Sequence, residues 1–419
     1  MRGPGFFGNL ENSTMIGLTP LRACALAAAL LLASAAPARA QNTVRPEVGK
    51  PLQAAESLYK SKKYREALAK VSEADAVAGK TAYESYVVER TRGSIAAAAG
   101  DNGTAAKSFE AVIASGRATG AEQLKLVQAV AGLHYQAKDY GKAAQWASRY
   151  QKEGGNDPAM RTLLVQSYYM NNDCANVSRA LGDGDDAKNG RRASEQELQI
   201  LANCFLRQKD STGYVSAIER LVVHYPKKEY WTDLLNRVQK KAGFSDRLSL
   251  DVYRLKLATG NVNTANDYLE MAQLALQAEF PAEAKKIVEK GYAANALGAG
   301  KDAERHKRLR DLVLKTLDES TKARAQAEKD ALAEKSGNGL VSVGYNYVVE
   351  GAPQKGLAFM EQGIQKGGLR RPEDAKLLLG IAQLQSGSKA RALQTLKGVH
   401  GTDGTADLAR LWILLAQRG

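Results

Sequence analysis

Small and large apolar positions fall on a fixed ladder along residues 86–117, YVVERTRGSIAAAAGDNGTAAKSFEAVIASGR. Gly93 is a small residue within an apolar run, and Ala105, Phe109 and Val112 follow twelve, sixteen and nineteen positions later. The same ladder runs from Ala55 through Ala67, Val71 and Ala74, and from Ala131 through Ala143, Ala147 and Tyr150. It returns from Ala202 through Tyr214, Ile218 and Leu221, and from Ala272 through Ala284, Val288 and Gly291. Two more copies run from Gly344 through Gly356, Met360 and Gly363, and from Gly380 through Ala392, Leu396 and Val399. A small residue on one helix facing a small residue on the next lets two antiparallel helices approach closely, and the larger residues a turn later fill the space between them. The stretches between carry Gly, Asp or Asn, as in AKDY, AGDNGT and RQKDSTG, which predicts a bend. Neither helix of a pair can bury its apolar stripe alone, so the pairs are expected to stack.

Weaker copies fill the gaps: Val165 with Val177 and Leu181, and a pair over 228–260 around Trp231, Leu235 and Tyr253. Where the copies adjoin, the small residues recur every 34 to 38 positions. With AVAGLHYQAKDYGKAAQWA and LANCFLRQKDSTGYVSAIERLVVHYP as its best matches, the chain resembles the tetratricopeptide repeat family over most of residues 48–404. It departs from that pattern in lacking the usual first-helix tryptophan and in closing only some copies with proline. The resemblance implies an all-α fold, a right-handed α-solenoid of antiparallel helix pairs in about nine copies.

Residues 301–335, KDAERHKRLRDLVLKTLDESTKARAQAEKDALAEK, break the rhythm. Charge dominates and the apolar stripe is thin (Leu309, Leu312, Val313, Leu317), which predicts a long solvated helix joining an array at 48–300 to further repeats at 336–404. The last segment, 405–419, is apolar on one face and is expected to cap the final repeat.

At the other end, a stretch from Met15 has Arg22 before an apolar run at 23–33, then ARA before Gln41. This is the pattern of a secretory signal peptide over residues 1–40, with 1–14 upstream of the true start and 41–47 as a linker. The apolar run is shorter than the ~20 residues a membrane span needs, so no transmembrane span is expected after cleavage. The expected location is the periplasm, which argues against nucleic acid as a partner. Formal charge is +14, and loss of residues 1–40 removes three arginines and one glutamate. The basic residues are spread over many helices, which suits either an ordinary soluble surface or attraction to acidic partners.

No catalytic constellation emerges. His134, His224, His306 and His400 fall in separate repeats, and His134 stands where the repeat wants an inward aromatic. No metalloprotease, nucleophile-elbow, paired-cysteine or phosphate-loop motif is present, and the acidic GDNGT and LGDGDD lack calcium-loop spacing. The expectation is a protein that is not an enzyme and carries no cofactor or metal. After cleavage two cysteines remain, Cys174 and Cys204, an even pair that in an exported chain reads as a disulfide, with two buried thiols as the other reading.

Stacked pairs would leave a groove lined by the first helix of each repeat. The register places Lys125, Gln128, Tyr135 and Gln136 there, then Gln199, Asn203 and Arg207, then Asn266, Gln273 and Gln277. Amides can pair with backbone NH and CO together, which suits an extended peptide, although exposed glutamines also occur on any solvated face. Asn203 and Arg207 match two places of the carboxylate clamp known in the tetratricopeptide family, but Gln196 and Gln199 stand where it has lysine. YPKKEYW, LSLDVYRLKLATG and DYLEMAQLALQAEFPAEAKKIVEKGY resemble exported bacterial tetratricopeptide proteins associated with TonB systems, which implies an envelope scaffold bound to protein partners. A cell-wall protein that recruits peptidoglycan enzymes or binds anionic glycan is the alternative.

Overall fold

The structure, a computed structural model, describes residues 42–182 and 192–418. The signal-peptide segment, the Gln41 start and most of LGDGDD lie outside the described residues. The fold is all-α, built from stacked antiparallel helix pairs. The chain divides into two compact units, one ending at Tyr214 and one beginning at Val215.

In the first unit, α1 (Pro46–Lys60) pairs with α2 (Tyr64–Asp75), α3 (Ala82–Ala99) with α4 (Asn102–Ala114), and α5 (Gly120–Gln136) with α6 (Tyr140–Lys152). Then come α7 (Pro158–Met170) with α8 (Cys174–Leu181), and α9 (Glu195–Arg207); α10 (Ser211–His224) follows, and from Val215 on it belongs to the second unit. One bend recurs throughout. A residue at positive φ ends the first helix, and the next N–H donates to the carbonyl five residues back, the Schellman closure that satisfies carbonyls the helix end leaves unpaired. Lys62, Lys138, Asn172 and Lys209 hold this place at φ 58–62°. The returning bonds run from Lys63, Asp139, Asp173 and Asp210 at 2.8–2.9 Å. The aspartate that follows is the N-cap: Asp101, Asp139 and Asp173 accept from the N–H three residues on.

Every ladder position of the first three copies is buried except Phe109, which is half-buried. A Cβ on Gly93 would stand 2.6 Å from the Phe109 ring, so glycine is what lets α3 and α4 close. The 41–47 linker is tighter than its composition suggests: α1 begins at Pro46, and the Arg45 guanidinium and backbone N–H donate to the Glu84 carboxylate at 2.9 Å. Arg45, then the Thr81 backbone, hold the enclosed Glu84 carboxyl down at about 2.

The second unit contains α11 (Lys228–Gln239), a 3-10 turn at Asp246–Leu248, α12 (Ser249–Ala258), α13 (Ala265–Gln277) and α14 (Pro281–Ala293). The long α15 (Ala303–Ala333) follows, then α16 (Asn338–Glu350), α17 (Pro353–Lys366), α18 (Pro372–Gln385), α19 (Lys389–Lys397) and α20 (Thr405–Gln417). α16 lies close on α17: a Cβ on Gly344 would meet the Gly356 carbonyl oxygen at 2.6 Å and one on Gly356 the Gly344 oxygen at 2.4 Å. The long helix packs against α14 and α16 through Leu309, Val313 and Ala331. Leu312, expected in its apolar stripe, is 51% exposed instead, because Leu309, Val313 and Leu317 repeat every four residues and Leu312 falls on another face.

Two polar networks order this unit. Arg254, 5% exposed, donates to both oxygens of Glu283 (2.8 and 2.6 Å) and to Asp251 (2.7 Å), while the Tyr345 hydroxyl donates to Glu283 at 3.0 Å. Burial pushes the Asp251 carboxyl and the Tyr345 phenol upward. Charges this deep are held only when each has such partners. In the second network, α20 does more than cap α18 and α19: it also meets α12. Lys241 donates to Asp407 (2.8 Å), Arg410 pairs with Glu219, and Arg247 reaches both Asp374 and Asp403. The end of the unit is thereby clasped to its beginning.

Candidate functional site

In the first unit, α7 touches both α5 and α9, so the three first helices form one surface. Residues eleven apart on a helix share a meridian, and Lys125 and Gln136 are exposed in this way on α5. Gln128 is half-buried and donates to Asp157 at 2.8 Å, so its amide is already used inside the fold. Tyr135 is half-buried with its ring 5.3 Å from Tyr140, and burial raises its phenol. On α9, Gln199 is half-buried, and the half-buried Asn203 donates back to the Gln199 carbonyl at 3.2 Å. The exposed Arg207 lies 4.2 Å over the Tyr169 ring and donates to the Tyr169 hydroxyl (2.8 Å) and to Asn172 (3.0 Å). Both acceptors are neutral, so the guanidinium keeps its charge for an outside group while its direction is fixed.

The residues that orient Arg207 come from the end of α7 and the bend after it, a pair that the sequence reading treated as a weak copy. Counting the same register from Val165 gives Tyr169 and Met170 at the places of Tyr135 and Gln136, so the signal was present. Met170 and Leu206, next in sequence to Tyr169 and Arg207, are 42% and 44% exposed and add apolar surface to these helices. The surface can therefore present amide, cationic and apolar groups to one extended ligand.

In the second unit, Asn266, Gln273 and Gln277 are all exposed, and their spacing puts them on one stripe of α13. Leu269, on the same helix, is buried at 3% and belongs to the core.

The remaining candidate chemistry is structural. His134 is 4% exposed and its Nε2 lies 2.7 Å from Glu110, whose carboxylate also accepts from Trp146 Nε1 at 3.0 Å. Cys174, at the start of α8, and Cys204, within α9, are bonded with Cα atoms 5.3 Å apart. Among the described residues no group of three His, Cys, Asp or Glu is placed to hold a metal, and no helix is long and apolar enough to cross a membrane.

This is an all-α protein built from stacked antiparallel helix pairs. No family model matches the chain, and no curated protein does. Among solved structures it is similar to yeast Tom70, with 12% identity, 88% of this chain and 95% of that one covered, and a TM-score of 0.25. It is similar to Naa15/Naa10 bound to HypK-THB, with 14% identity, coverage of 86% and 64%, and a TM-score of 0.31. A third is the P58(IPK) TPR domain, with 14% identity, coverage of 88% and 98%, and a TM-score of 0.24. With scores this low, the fold rests on the helix pairs described above.

Proposed function

We propose that this chain is a non-enzymatic, exported scaffold of a bacterial envelope that binds an extended protein segment across its first helices, in association with a TonB-type complex. The observation that carries this reading is that each unit by itself exposes such a set on its first helices, Lys125, Gln136 and Arg207 in one and Asn266, Gln273 and Gln277 in the other. The core makes no use of these side chains, whereas their ladder neighbours are consumed by packing. The charged flank, apolar run and ARA before Gln41 support export, and the resemblance of YPKKEYW and its neighbours supports the TonB link.

Two measurements test it. The mature chain recovered from the native host should begin at Gln41 and fractionate with the periplasm; a full-length cytoplasmic chain contradicts this. Gln136→Ala with Arg207→Ala should weaken capture of the envelope partner roughly tenfold or more, since a lost bond to a charged group costs ~1.5–3 kcal/mol. Lys286→Ala, on the second helix α14, should not. Equal capture by all variants removes the first-helix surface from consideration.

The exposed cations of α14 and α15, including Lys286, Lys290, Lys307 and Arg308, favour a second reading, a cell-wall protein holding anionic glycan. Such binding should weaken steeply with salt, and groove-peptide binding less so.

A further inference from the structure

A recess of about 320 Å³ lies between α14 and α15, away from the first-helix surfaces. Its apolar part is Val288, Val313, Leu314 and the ring of Tyr292; Lys285, Glu289 and Arg310 complete it. Val288 and Val313 are buried, at 2% and 1%, so the apolar atoms sit at the bottom. Leu314 is 44% exposed at a helix position where solvent alone favours a polar residue.

The rim is cationic. Lys285 is answered by Glu289 at 2.6 Å. Arg310 is held with its guanidinium 5.2 Å from the Tyr292 ring centre and has no carboxylate partner among the described residues. Many other surface arginines of this chain do have one: Arg90 with Glu122, Arg149 with Glu153, Arg237 with Asp233, Arg324 with Glu350. The exposed Lys307, three residues before Arg310 on α15 and likewise without a carboxylate among the described residues, extends the positive field.

We infer that this recess is a docking site for an acidic peptide segment of a partner protein, which inserts one apolar side chain between Val288, Val313 and Leu314 and lays a carboxylate on Arg310. An unpaired guanidinium fixed over an aromatic ring is pre-oriented for a planar carboxylate. A membrane surface fits less well, because lipid insertion needs apolar side chains that protrude, and here they are recessed. This site does not rest on the first-helix surface and stands or falls separately.

The test is selection of a displayed random nine-residue peptide library on the full mature chain at 150 mM salt (on the order of physiological). Arg310→Glu and Leu314→Asp serve as separate counter-targets; both positions are exposed, and circular dichroism confirms folding. Enriched peptides should carry one Leu, Phe or Ile flanked by Asp or Glu. A synthetic copy should bind at least about tenfold more weakly to each variant, and equally to Arg305→Glu. Enrichment without acidic residues, no enrichment, or unchanged affinity in Arg310→Glu overturns the inference. So does binding of phosphatidylglycerol vesicles that depends on Arg310 while no peptide is selected.

Discussion

Arg247 and Asp374 stand 127 positions apart and meet through two hydrogen bonds of 2.9 Å, Nε to Oδ2 and Nη2 to Oδ1. The same guanidinium reaches Asp403, whose backbone carbonyl accepts from the Ser245 N–H at 2.9 Å. In a solenoid each repeat ordinarily touches only its neighbours. Here one side chain ties the start of the second unit to its end.

Removing that tie should loosen the end helix selectively. Arg247→Ala is expected to cost ~1.5–3 kcal/mol, the range for bonds to charged groups. Amide exchange should rise first in α20 and in residues 398–404. An unchanged melting temperature, or exchange rising evenly through the unit, would show that the clasp contributes nothing.

The clasp also has a pH signature. The Thr405 hydroxyl first, and Arg247 after it, hold the Asp403 carboxyl at about 2, below its ordinary 3.8. The folded state therefore binds this proton less readily than the unfolded state, so the stabilisation is present above about pH 4 and is lost as pH falls towards 2. Asp403 is partly exposed, which weakens the effect through solvent screening. Urea midpoints at about pH 6, 4 and 3 should fall less steeply for Asp403→Asn than for the wild type. Parallel slopes would remove Asp403 from the acid response.

Glycines in the helices should respond in opposite directions according to what faces them. Alanine is intrinsically better than glycine in a helix by about 1 kcal/mol. At Gly49 an added Cβ meets only Val44 at 3.7 Å, so Gly49→Ala should stabilise the chain. At Gly344 the backbone oxygen of Gly356 stands in the way and cannot rotate aside, so Gly344→Ala should lose ~1–3 kcal/mol despite its better propensity. Equal effects at the two sites in thermal unfolding would contradict the close-packed α16–α17 contact.

The Cys174–Cys204 bridge closes a loop of 30 residues. Chain-entropy arguments put its contribution at about 4 kcal/mol, less any strain. The oxidised protein should weigh two hydrogens less than the reduced form, and reduction should raise exchange in α8 and α9 before the outer helices. Two titratable thiols in the unreduced, denatured protein would refute the bond.

The repeat itself was legible because its physics is local. Gly93 faces Phe109, and Gly344 faces Gly356, each within one hairpin, and such spacing is written directly in the sequence. What escaped was of two kinds. The clasp joins residues more than a hundred positions apart, and a repeat register says nothing about which distant copies meet. The Arg254 network hides behind a familiar surface pattern: Asp251 and Arg254, three residues apart, look like an exposed helix pair, yet both turn inward to Glu283 and Tyr345. The groove was half legible. The register put Gln136 and Arg207 at positions that are exposed, but it could not show that Gln128 and Asn203 spend their amides inside the fold.

The most direct test of the scaffold reading is photo-crosslinking in the native host. A photoreactive phenylalanine analogue is placed, one position at a time, at the exposed first-helix residues Lys125, Gln136, Gln273 and Gln277 and at the second-helix residues Lys152 and Lys286. The account predicts adducts to a common envelope protein from the first-helix positions and none from the second-helix positions. Adducts from Lys152 or Lys286 alone, or none from any first-helix position, would contradict it.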